Sequence, residues 1–163
     1  MRVALGKIVG KLQGASKVDV GFFADKTYDD KEHTSVAFVA AMNEWGSSGF
    51  FQQEHAQDYA RQVGGEAPPE RKGRPPRPFF RGMINVKSKE WGSAIAKLLK
   101  ENNYNTKKTL GMTGEAVAGQ LKDAIVEYIG PPLAASTIAA KGFDKQLVDT
   151  GVMLKSVEYK VKE

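Results

Sequence analysis

The stretch LVDTGVMLKSVEYKV, Leu147 to Val161, decides the fold class. Its second half alternates Val157, Tyr159 and Val161 with Glu158, Lys160 and Lys162, the period of a strand with one buried face. The same alternation occurs far upstream in KVDVGFF, where Val18, Val20 and Phe22 alternate with Asp19 and Gly21. Two strands are therefore expected, one near 17–24 and one closing the chain beside it. Between them the periodicity is helical and shows no repeated strand-helix-strand rhythm. That order predicts an α+β fold, a small antiparallel sheet covered by helices, within one domain spanning 1–163.

The helices read with different clarity. ALGKIVGKLQG places Leu5, Ile8 and Leu12 at helical spacing, a short helix weakened by Gly6 and Gly10. SVAFVAAMNEWG is apolar almost all round from Val36 to Met42, which predicts a helix buried on most faces at the centre of the core, with Gly46 as a left-handed cap. Phe80, Ile84, Trp91, Ile95 and Leu98 form one stripe of a helix from about 79 to 101, with Pro78 suited to its first turn. Leu110, Val117, Leu121, Ile125 and Tyr128 line a second long helix from near Thr109. On it Gly111, Gly114 and Ala118 leave a small-residue patch open to close approach. Gly130 ends that helix, and STIAAKG adds one or two turns capped by Ser136 and stopped by Gly142. Trp45 and Trp91 are expected in the core.

Residues 47–74 differ in composition, rich in Gly, Ser, Gln, Glu, Arg and Pro. They are expected to form a long loop insertion, mobile in an isolated subunit and ordered by a partner. Phe50, Phe51 and Tyr59 are aromatics that a solvated spacer does not need, and they are candidates for docking on a neighbour.

Composition narrows the function. The chain of 163 residues has no cysteine, which excludes disulfides, thiolate catalysis and sulfur-based zinc sites and suits a reducing compartment. MRVALGKIVGKLQG lacks an unbroken apolar run and no window approaches a membrane span, so synthesis in the cytoplasm with no membrane contact is expected. A net charge of +5 is a mild basic excess, concentrated only in ERKGRPPRPFFR, Glu70 to Arg81. Non-specific DNA contact is one reading of that run and a solvated basic loop is the other.

Asp149-Thr150-Gly151 spells the catalytic triplet of an aspartic protease. Such an enzyme needs two of these aspartates on loops braced by later strands, and 12 residues follow Gly151 here. The expectation is that Asp149 or Thr150 caps a short helical turn at 150–156. His33 and His55 are the only histidines and form no ligand cluster with Glu54 and Asp58. GKIVGKL has the wrong spacing for a phosphate loop, and no serine sits in a nucleophile elbow. No catalytic residue, metal site or cofactor is expected.

RPPRPFFR, Arg74 to Arg81, combines a stiff proline run with two aromatic anchors and three arginines. Phe79 and Phe80 suit the core, and the prolines suit a rigid helix entry. Arg74, Arg77 and Arg81 suit an inter-subunit salt bridge or a phosphate contact.

The order VDVGFF, VAFVAAMNEWG, RPPRPFFR, EWGSAIAKLL, LGMTGEAVAGQLKDAIVEYIGPPLAASTIAAKG and LVDTGVMLKSVEYKV resembles the tail-completion or neck proteins of long-tailed bacteriophages and prophages. The resemblance runs from about Val18 to Val161. It implies a structural virion protein and no enzyme: a subunit that closes the tail tube and joins it to the head as a ring, six-fold by family analogy. Its implied partners are further copies of itself, the tail tube protein and a head-connector protein. Its implied location is the virion, with the host cytoplasm during assembly. The insertion at 47–74 is longer than this resemblance leads one to expect. The alternative is a basic nucleic-acid-binding module, which would show affinity falling steeply with salt.

Overall fold

The computed structural model describes residues 17–46, 73, 75–130, 132–133 and 135–163. The expected helix at 5–12, and the docking roles given to Phe50, Phe51, Tyr59 and Arg74, lie outside the described residues. So does the mobility expected of 47–74, apart from Gly73.

The fold is α+β, and among the described residues it has five helices and one two-stranded antiparallel sheet. In chain order these are β1 (Lys17–Phe22), α1 (Val36–Trp45), α2 (Phe79–Glu101), α3 (Thr106–Val126), α4 (Ala135–Lys141), α5 (Val152–Lys155) and β2 (Val157–Lys162). β1 and β2 pair from Lys17 with Lys162 to Phe22 with Val157, as the two alternating patterns predict. α3 lies across the sheet at Gly114. A Cβ there would stand 2.6 Å from Tyr159 Cδ2 and 2.7 Å from Val18 Cγ2, so only glycine lets the helix sit this close. Of the small-residue patch expected on this helix, Gly114 is the point of close approach, whereas Gly111 has open space around it.

On the sheet's solvent face, charges bridge the strands. Asp19 holds Lys17 at 2.9 Å and Lys162 at 2.6 Å, Lys26 reaches Glu158 at 2.9 Å, and Lys160 reaches Asp25 at 3.5 Å. The core sits on the opposite side, drawn from Val36 and Ala40 of α1, Phe79 and Met83 of α2, Ala118, Leu121 and Ile125 of α3, then Leu147, Met153 and Val157.

α2 and α3 form an antiparallel hairpin. Asn103 and Tyr104 at its tip both adopt left-handed backbone, with φ of 51° and 63°, and Asn105 Oδ1 accepts from Lys108 N–H to start α3. Trp91 joins the two helices through Nε1, which donates to Gln120 Oε1 at 2.9 Å.

Five expectations need correction. α1 is not buried on most faces: Val36, Ala40 and Glu44 form its only buried stripe, and Phe38 is 58% exposed. Trp45 is 64% exposed and is no core residue, because it lies off that stripe. Phe79 and Met83, not Phe80 and Ile84, are the fully buried positions at the start of α2. Ser136 lies inside α4 and not before it. Gly46 takes a positive φ of 78° but with ψ at 173°, so it caps α1 without the left-handed helical conformation, and Gly142 has a φ of 77° just beyond α4.

Candidate functional site: the corner between the first two helices

The RPPRPFFR segment poses a capping problem that its own sequence does not solve. Pro78 is the N-cap of α2 and makes no side-chain cap, and no Ser, Thr, Asp or Asn stands near enough to supply one. The first N–H groups of a helix need acceptors from elsewhere. Glu44, on the last turn of α1, provides them: Oε2 accepts from Phe80 N–H at 2.9 Å and Oε1 from Arg81 N–H at 3.1 Å. The carboxylate also lies at the positive end of the α2 dipole, which favours its charge.

The two arginines then fasten the corner. Arg81 Nε donates to Glu44 Oε1 at 2.7 Å and Nη2 to the Glu44 carbonyl at 3.0 Å, while the guanidinium stacks 3.9 Å above the Trp45 ring. Arg77 Nη1 donates to Asn43 Oδ1 at 3.1 Å, and Arg77 N–H to the Asn43 carbonyl at 2.7 Å. Arginine fits here because its planar fork donates in two directions and still offers a face to an aromatic ring. The structure therefore brings Arg77 and Arg81 into contacts within the chain. Beyond those contacts, Arg81 keeps 44% of its side chain exposed, over the exposed Trp45.

Sequence reasoning missed Glu44 and Asn43. The available signal was local: NEWG ends one helix with an acid and an amide, and the next helix opens without an acceptor.

The Asp149-Thr150-Gly151 triplet lines a cleft of about 570 Å³ with Tyr28, Arg77, Thr137 and Lys141 among its other walls. The cap assigned to Asp149 is overturned. Gly151, in left-handed backbone at φ 77°, is the N-cap of α5, and no side chain caps that helix. A glycine there turns the chain without strain, and Asp149 is left exposed. Tyr28 titrates above its ordinary range because it is partly buried, with the Asp149 and Asp30 charges adding to the effect. Lys141 donates to the carbonyls of Lys145 and Val148, holding the loop before α5 in place. The cleft thus presents one carboxylate, with its lysine engaged by backbone. Among the described residues no group of three His, Asp or Glu side chains could hold a metal ion, and His33 is exposed.

Comparison with protein-family models, with curated proteins and with solved structures finds no match in any of the three.

Proposed function

We propose that this chain is a structural assembly protein of a phage particle. It completes the end of the tail and joins tail to head, associating with copies of itself in a ring and docking onto the tail tube and head-connector proteins. The order of six motifs along the sequence supports this reading. The structural observation that carries it is the face of α1, where Phe38 and Trp45 stand 58% and 64% exposed with Arg81 stacked on the tryptophan. Tryptophan and arginine are the residue types that dominate binding energy at protein interfaces, and two large exposed aromatics on one short helix suit a partner. The lysines on and beside the strands favour this over nucleic-acid binding, since Lys17, Lys160 and Lys162 of the strands and Lys26 just after β1 are each paired with a carboxylate and form no free stripe.

Size-exclusion chromatography with light scattering, on the chain alone and mixed with the tail tube protein, tests the proposal. Association is expected, and Trp45→Ala should weaken it at least tenfold while circular dichroism stays unchanged. A chain that stays monomeric in both samples, or binds duplex DNA with a steep salt dependence instead, would overturn the reading.

A further inference from the structure

We infer that Lys141 is the latch of a movable arm: its ammonium group holds residues 135–148 in place, and its release opens the cleft beside α4 while the core stays folded.

The arm is built around that one charge. α4 ends at Lys141, and Gly142, at φ 77°, turns the chain back with its N–H on the Ile138 carbonyl at 2.8 Å. The residues that follow wrap the head of the lysine. Nζ donates to the carbonyl of Lys145 at 2.6 Å and to that of Val148, and it lies 5.0 Å from the centre of the Phe143 ring. An ammonium offers donors and no acceptor, so it can draw two carbonyls together, and bonds from a charged donor are stronger than neutral ones.

Burial does little to fasten this segment. No residue of α4 is buried, and Phe143, Asp144 and Lys145 are exposed; burial resumes at Leu147, which is 8% exposed. The base of the arm is tied to the region where α3 ends, through Gln146 Nε2 on the Gly130 carbonyl at 2.8 Å and Lys145 Nζ on the Val126 carbonyl at 3.4 Å. A segment with few buried apolar contacts opens locally at low cost, without the rest of the fold. Here polar bonds set that cost, and Lys141 supplies two of them.

The place of the arm gives its opening a consequence. Thr137 and Lys141 line the cleft of about 570 Å³ together with Tyr28, Val39 and Arg77, which belong to other parts of the fold. The loop that Lys141 holds runs on into Asp149 and Thr150, also in the cleft wall. Displacement of the arm therefore widens the cleft.

Hydrogen exchange on the whole chain reads the latch. Lys141→Met keeps an unbranched stem and removes the charge. Amides of α4 and of residues 142–148 should exchange about tenfold faster in Lys141→Met, with those of α2 and α3 unchanged. The chain has no cysteine, so Val39→Cys places a single thiol on the cleft wall. Its labelling by a thiol reagent should accelerate severalfold when Lys141→Met is added. Equal exchange in the parent and in Lys141→Met would show that the lysine latches nothing. Acceleration spread evenly over α2, α3 and the sheet would make Lys141 a support of the whole fold and remove the arm as a separate unit. Faster exchange confined to the arm, without faster labelling at position 39, would mean that the arm loosens and the cleft stays shut, which also overturns the proposal. Arm amides that exchange in the parent as fast as an unfolded chain would leave the lysine nothing to hold.

Discussion

Arg81 meets a carboxylate, a carbonyl and an indole that all belong to the last turn of another helix. Its value lies in the direction of its donors more than in its charge. Arg81→Ala should cost about 1–2 kcal/mol in urea denaturation. Arg81→Lys should recover less than half of that, because an ammonium cannot reproduce the two-way fork or the stacking; full recovery would show that charge alone suffices. Glu44→Ala should cost more, about 2–3 kcal/mol, since a buried acceptor is lost to two helix N–H groups and one guanidinium together. The two tryptophans separate in the same assay. Trp45→Ala should change stability by about 1 kcal/mol or less, its ring being mostly in water. Trp91→Ala should cost about 3 kcal/mol, because that ring packs on the core and holds Gln120. Asp149→Ala, at an exposed position that caps nothing, should stay within about 0.5 kcal/mol of the parent.

At the scale of elements, α3 against the sheet is the contact most sensitive to one methyl group. Gly114→Ala gains helix propensity but forces a Cβ into Tyr159 and Val18. The crowding should win, lowering stability by about 1–2 kcal/mol. Gly111→Ala, with open space around it, should raise stability by up to about 1 kcal/mol. Thermal unfolding of the pair gives opposite signs if the packing is as described, and two gains would mean the helix stands farther from the strands. Both strands and the two long helices were legible because their apolar residues recur against polar neighbours at a clear period. α1 was not, for a physical reason: VAFVAAM offers no polar contrast, so nothing in it says which face the core takes. Its exposed Phe38 and Trp45 follow from a choice made by α2 and β1. The Glu44 cap was illegible in a different way, since acceptor and donors lie 36 and 37 residues apart and no local pattern links them. Asp149 was misread because a carboxylate two residues before a turn suits a cap, while Gly151 reaches the same turn through backbone alone.

For the whole molecule, the titrating groups set a plateau with two shoulders. Asp19 titrates below its ordinary 3.8 because Lys162 and Lys17 bind its ionised form, and Asp30 does so because Thr34 donates to it. A depressed folded value means stability that is present above about pH 4 and lost as the pH falls through the lower folded values. Tyr28 is shifted the other way from 10.0, by burial first and then by Asp149 and Asp30. Its contribution is complete below about pH 10 and is lost as the pH rises through the raised value. Urea midpoints measured from pH 2 to 11 should therefore fall at both ends. Asp30→Asn should flatten part of the acid shoulder and Tyr28→Phe the alkaline one. An alkaline shoulder unchanged in Tyr28→Phe would assign it to other groups.

The pairing of Lys17 with Lys162 also governs the order in which the molecule can be made. Everything between Phe22 and Val157 is synthesised before β1 can meet its partner, so β1 must wait for an interval on the order of 10 s. During that interval the helical hairpin can form from local contacts, whereas the sheet cannot. Nascent chains halted before Val157 should therefore leave β1 open to protease while α2 and α3 are already protected. Arrival of β2 then becomes the event that commits the chain to its native shape.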